Sequence, residues 1–185
     1  MGGDLVEVVG SGRLADDLRA QRIVSERRLT VVVASITSSP SSFEAITEAQ
    51  FDAGWERPMQ EAIDAFARAH DAGRERIVAV VPTIGMSGAV ANAVAAATSE
   101  ALRALVKSAA RQWGSDGITV NCVAVAPELF GIGADQVGVV AIAPPAQPAP
   151  SAAEVAAALR MLGSEDATAI TGATLLVDGG VWMST

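Results

Sequence analysis

The sequence has no tyrosine, one cysteine and one histidine in 185 residues, and aromatic side chains make up only 4% of it. Without a tyrosine, no site in this chain can use a phenol as its general acid or base. The single thiol, Cys122, falls in an apolar run read as a buried strand and is expected to be a small core residue without a reactive role. His70 stands near the end of a predicted helix, without cysteine or carboxylate partners at ligand spacing, so it reads as a surface residue and no metal site is expected. Positive charge is also scarce. Thirteen Lys and Arg against 21 Asp and Glu leave a net charge of -8, with no basic run to offset it locally, which argues against a nucleic-acid partner. No apolar run reaches the roughly 18 residues of a membrane span and no basic leader precedes one. The expectation is a soluble, cytoplasmic chain without a membrane partner.

What is present is a strand–helix–strand unit over residues 76–127. Arg76 to Val81 is a short Val-rich run, as in a strand buried on both faces of a parallel sheet. From Ala89 to Trp113 there is neither Pro nor Gly, and Glu100, Arg103, Lys107 and Arg111 recur at three- and four-residue steps as one solvated stripe of a long helix. Gly114 stops that helix, and Ile118 to Val125 supplies the next strand, giving a βαβ unit. The length suits a single domain over residues 1–185.

This stretch resembles the second half of the classical short-chain dehydrogenase/reductase family, closest to its 3-oxoacyl-carrier-protein reductase branch. The resemblance is carried by Arg76-Ile77-Val78, Gly85, Ala101-Leu102, Leu105, Lys107-Ser108-Ala109-Ala110 and Gly117 to Asn121, collinear and ungapped. It resumes at Glu154-Val155-Ala156 and at Ile170 to Gly180, which is similar to the family's closing ITGQTLxVDGG strand. The implied fold is α/β: a Rossmann-like parallel sheet with flanking helices. The family's activity implies a Tyr as general acid/base, a Lys four residues on, a Ser that polarises the carbonyl and an Asn that orders a water. Counting from Gly85 and Lys107 puts the Tyr position at Ala95, the Lys position at Ser99 and the Ser position at Pro82. Aligning Trp55-Glu56-Arg57-x-Met59 with the family's W-D-x-V-M puts the Asn position at Ala62. None of these residues can perform the family's step, and no register shift recovers a phenol.

The N-terminal part implies a sheet shortened on its adenosine-binding side, to about five strands. Asp4 to Val9 reads as a strand and Leu14 to Gln21 as a short helix, joined by Gly10-Ser11-Gly12. In a dinucleotide fold such a turn lets backbone approach a pyrophosphate, so Gly10 and Gly12 are weak cofactor candidates. However, no second strand ending in an acidic residue follows to hold a ribose. Instead Leu29 to Ala34 comes almost at once and looks like the family's fourth strand. With two strands and the switch point between them gone, no cofactor is expected.

Residues 35–50 read as a loop, and Phe51 to His70 as a helix whose core stripe is Trp55, Met59, Ile63 and Phe66. Its carboxylates, from Glu44 to Asp64, read as a solvated face. Residues 131–150 form a Gly/Ala/Pro-rich spacer where the family has a substrate lid. Ser151 caps a helix over Ala152 to Leu162, with Glu154 completing a capping box, and Thr168 to Val177 is the last strand.

Two functions compete. One is a non-catalytic subunit that assembles with a catalytically complete reductase paralogue, or with itself as dimer or tetramer. The family associates through its long helix and last strand, which makes Ala89, Ala93, Ala96, Ala97, Leu102, Leu105, Leu175 and Val177 the interface candidates. Independently, Ala89 to Ala97 is apolar on nearly every side and needs cover on both faces. The alternative is a rebuilt site, lyase- or dehalogenase-like, on a reductase frame without nucleotide; a stand-alone NAD(P)-dependent oxidoreductase would require the site to lie elsewhere. Gene decay is disfavoured by the intact periodicity and caps.

Overall fold

Valine-rich runs carry the sheet. In a computed structural model of the protein, which describes residues 5–133 and 150–183, five strands pair in parallel in the order of the chain. They are β1 (Val6–Val9), β2 (Leu29–Val33), β3 (Arg76–Pro82), β4 (Thr119–Val125) and β5 (Thr174–Val177). Every residue of β2, β3 and β4 is buried, which is why these runs show no apolar–polar alternation.

The pleat divides these strands between two cores. Val31, Val33, Val78, Val80, Val123 and Val125 pack against α1 (Arg13–Ala20) and the C-terminal helix Ala152–Leu162. Val32, Ala79, Val81, Val120, Cys122 and Ala124 share the opposite core with residues of two further helices, α3 (Arg57–Asp71) and α5 (Ala93–Trp113). Between these come α2 (Glu48–Phe51) and α4 (Ile84–Ser87), so the C-terminal helix is α6.

Several boundaries differ from the sequence reading. The helix expected from Ala89 begins only at Ala93: α4 ends at Ser87 with left-handed Gly88 (φ 61) after it, Ala91 is left-handed at φ 59, and Asn92 is the residue before α5. Asn92 stands at the N-cap position of α5 without a side-chain capping bond, and its Nδ2 donates to the Val90 carbonyl. Cover continues upstream of Phe51 as well. Thr47 and Gln50 form a capping box that starts α2 within the expected loop, and a π-helical turn at Asp52–Glu56 leads into α3. Within α3 the buried face is formed by Ala62, Ala65, Phe66 and Ala69, whereas Ile63 is 44% exposed and leaves the expected stripe. Trp55 is half-buried and stacks on Phe51.

The charged stripe on α5 divides too. Lys107 and Arg111 are exposed, but Arg103 pairs with both Glu100 oxygens at 2.8 and 2.6 Å and donates from Nε to the Thr174 hydroxyl at 3.3 Å, tying α5 to β5. The last strand is shorter than expected because Gly172 turns left-handed (φ 70). Asn121 holds the segment before β5, donating from Nδ2 to the Ile170 carbonyl (2.7 Å) and accepting at Oδ1 from Ala173 N (3.1 Å). The capping box at Ser151 and Glu154 is present. The spacer expected at 131–150 lies largely outside the described residues.

Candidate functional site

Ligands of open parallel sheets bind beyond the carboxyl ends of the strands, where the strand order reverses. Here the order runs straight from β1 to β5 among the described residues. The turn after β1 is nevertheless well defined. Gly10 has φ 120, and a Cβ there would lie 2.3 Å from the Val33 carbonyl oxygen, so glycine is required by the close approach to β2. Gly12 (φ 92) precedes α1. A cleft of about 320 Å3 separates this turn from α3 and brings Gly10 together with Ala62. Glu61 and Asp64 also line it, against one cation among the described residues, Arg68.

The other positions singled out in the sequence are deep in the protein. Ala62 (3% exposed) and Ala95 (4%) belong to one apolar core, and Pro82 closes the buried strand β3. Ser99 is 0% exposed, and its hydroxyl donates to the Ala95 carbonyl at 2.9 Å, one turn back in α5. Thr83, beside Pro82, is buried and donates its backbone N–H to the Val125 carbonyl. The Cys122 thiol is fully buried, and desolvation pushes it up to about 12, so it stays protonated. His70 is not a plain surface residue: its ring stacks on Trp113 at 4.8 Å. Among the described residues no cluster of His, Cys, Asp and Glu could hold a metal ion, and no helix is long and apolar enough to cross a membrane.

Of the interface candidates, Ala89 (5%) and Leu102 (1%) are buried within this chain. Ala93, Ala96, Leu105, Leu175 and Val177 are half-buried and Ala97 is exposed, so these six keep apolar surface available.

One cleft was not evident from the sequence. It has a volume of about 190 Å3 and lies between the loop after β2, α2 with its π-helical turn, and the start of α5. Ala95 forms part of its wall, with Ser39, Ser41, Gln50, Asn92 and Ile46. Ser41 N donates to the carbonyl of left-handed Ala91 at 2.9 Å, which fixes the rim. The Thr47–Glu48–Ala49–Gln50 capping signature could have shown that this loop is structured.

Comparison with known proteins agrees with this geometry. The family model described as enoyl-(acyl carrier protein) reductase matches residues 15–182. The 3-oxoacyl-[acyl-carrier-protein] reductase FabG of Salmonella typhimurium is 36% identical over 112 residues, covering 58% of this chain and 46% of the relative. A peroxisomal 2,4-dienoyl-CoA reductase of Danio rerio is 31% identical over 116 residues, covering 58% and 38%. The matched part of this chain thus spans less than half the length of these curated relatives. Among solved structures, levodione reductase superposes with a TM-score of 0.65 at 20% identity, covering 82% of this chain and 65% of that one. YwfH, an NADPH-dependent reductase, gives 0.63 at 23% identity, covering 84% and 67%. With five parallel strands, the helices on both faces and a family match over most of its length, the chain belongs to the classical short-chain dehydrogenase/reductase family.

Proposed function

We propose that the chain is a non-catalytic short-chain dehydrogenase/reductase-like subunit that assembles with a catalytically complete reductase and stabilises or shapes its active site. The observation that carries this reading is the state of Ala95 and Ser99. The first is a methyl group in the apolar core, and the second spends its hydroxyl on its own helix. Neither can relay a proton, and the chain has no tyrosine to bring in from elsewhere. The cleft at Gly10 supports the same reading. Two carboxylates and one guanidinium line it, a balance that repels a pyrophosphate. Half-buried apolar positions from Ala93 to Leu105 on α5, and Leu175 and Val177 on β5, are the surface through which the partner is engaged. The relatives named for acyl-carrier-protein and CoA substrates support acyl-thioester or related small-molecule metabolism as the partner's chemistry.

Two measurements test the reading. Titration calorimetry with NAD(H) and NADP(H) is expected to give no binding in the micromolar range; micromolar affinity for either sinks it. Co-expression with a full-length short-chain reductase from the same organism should yield a co-purifying complex that Ala96→Arg disrupts. Separate elution of the two wild-type chains contradicts the assembly.

A further inference from the structure

β1 and β5 are the two edge strands of the sheet among the described residues. Beside β1, α1 and the turn after it bound an open groove of about 650 Å3. Its floor and lips are apolar: Leu18 is buried, Val6, Val8 and Ile23 are half-buried, and Leu5 and Val24 are 48% and 70% exposed. Arg19 and Arg22 line it and no carboxylate does among the described residues, although acids outnumber bases 21 to 13 in the chain. Asp16 pairs with Arg19 at 2.7 Å, whereas Arg22 is exposed and has no ion-pair partner among the described residues. The backbone along the groove is only partly used. Leu5 turns its carbonyl to β2, where Leu29 N donates to it at 2.7 Å. Residues of a parallel strand face its two sides in alternation, so Val6 and Val8 present N–H and C=O to the open side. Arg19 donates to the carbonyls of Val8 and Gly10. That leaves Val6 N–H, Val6 C=O and Val8 N–H as the pairing groups of an unfinished edge.

We propose that this groove docks a short acidic segment of another protein, which adds to β1 as an outer strand, lays apolar side chains over Val6, Val8 and Leu18, and sets a carboxylate against Arg22. Three separate demands meet in that occupant. The edge amide groups need backbone partners, the apolar shelf needs cover, and Arg22 needs an anion. Arg19 sets the length. By holding the Val8 and Gly10 carbonyls it stops the ladder at Val8, which limits the added strand to a few residues. Charge chooses between occupants. A second copy meeting this edge across a two-fold axis would set its own Arg19 and Arg22 against the same two cations, and a neutral strand leaves Arg22 unanswered. The net charge of -8 opposes an acidic partner at long range, but charges further off than about 8 Å are largely screened at physiological ionic strength, so the guanidinium groups in the groove decide the contact. The surface lies at the sheet edge opposite β5 and does not rest on the assembly reading.

The test uses dye-labelled peptides of one pattern with blocked ends, Asp-Thr-Val-Thr-Val-Thr-Asp and the same sequence ending in Asn or in Lys on both sides, each titrated into the full chain by fluorescence anisotropy. The Asp form is expected to bind saturably, the Asn form more weakly and the Lys form not at all. Arg22→Glu, at an exposed position, should weaken the Asp form roughly five- to twentyfold, the effect of replacing a surface attraction by a repulsion, and should admit the Lys form. In the isotope-labelled chain, saturation with the Asp form is expected to slow amide exchange at Val6 and Val8 and to leave β3, paired on both sides, unchanged. Absence of saturable binding of the Asp form to the folded wild type overturns the proposal. So does equal binding of the Lys form, unchanged exchange at Val6 and Val8, or undiminished binding of the Asp form to a folded Arg22→Glu chain. Protection of those two amides by concentration-dependent dimerisation, without peptide, also overturns it and assigns the edge to a second copy.

Discussion

The guanidinium of Arg19 donates to the carbonyl of Gly10 at 2.5 Å and, from the same nitrogen, to that of Val8 at 3.3 Å, while Asp16 holds its other nitrogen at 2.7 Å. β1 is an edge strand, and these two carbonyls lie on the side that β2 does not cover. An unpaired strand edge is a template for association, and here one side chain occupies it. Beside it, Leu5 and Val24 are 48% and 70% exposed. Replacing Arg19 with Ala should therefore release the edge. Sedimentation at rising concentration is expected to show added self-association over the wild-type profile, and an unchanged profile would mean that the edge is guarded by something else.

Gly10 is the position where substitution should cost most in the N-terminal part. A Cβ there meets the Val33 carbonyl oxygen at 2.3 Å, and φ 120 disfavours any L side chain. Gly10→Ala is expected to lower stability by about 2–4 kcal/mol, combining backbone strain with displacement of β2. Urea denaturation measures it. A loss below about 0.5 kcal/mol would show that the turn relaxes freely.

Asn121 is buried and its amide serves both the Ile170 carbonyl and the Ala173 N–H. In Asn121→Ala both groups lose their partner, at a cost of about 1–3 kcal/mol for each one left dry. The loss should be local as well as global. Amide exchange over residues 170–177 is expected to accelerate more than exchange in β3, and uniform acceleration would count against the clamp.

Glu75 joins β2 to β3. It accepts from Arg28 N (3.2 Å), and Arg27 pairs with it at 2.9 Å, so its carboxyl lies below the ordinary glutamate range, with the backbone bond from Arg28 the largest cause. A carboxylate with a depressed folded pKa contributes stability that is complete above its unfolded value of about 4.3 and is lost as pH falls through the folded value. Glu75→Gln should reduce stability at pH 7 and flatten the decline between about pH 4.3 and the lower folded value. Parallel acid limbs for variant and wild type would remove Glu75 from the account.

Restoring two family groups should not restore activity. Ala95→Tyr adds a ring to a core position that is 4% exposed, and Ser99→Lys buries an ammonium at one that is 0% exposed. Overpacking alone costs about 1–3 kcal/mol, and the lysine adds desolvation. The double variant is expected to melt below wild type and to show no NAD(P)H consumption with acyl-thioester ketones. Measurable hydride transfer would show that the nucleotide site is intact.

The parallel sheet was readable because strands buried on both faces carry continuous Val-rich runs, and β2, β3 and β4 agree with Leu29 to Ala34, Arg76 to Val81 and Ile118 to Val125 to within a residue. Helix periodicity was less reliable. The stripe through Ile63 followed the larger side chains, whereas the face that α3 buries runs through the alanines Ala62, Ala65 and Ala69 with Phe66. Arg103 likewise read as solvent-facing. Spacing along one helix says nothing about Thr174, 71 residues later, which takes its Nε proton.

By itself the sequence determined the family and the positions of the buried central strands, because residue identity and local periodicity are properties of the chain alone. Tertiary structure alone decided the guarding of β1 by Arg19, the clamp of Asn121 on the segment before β5, and the cleft where the loop after β2 meets the start of α5. Each of these depends on which distant backbone groups need a partner once the strands have paired, and that demand exists only after folding.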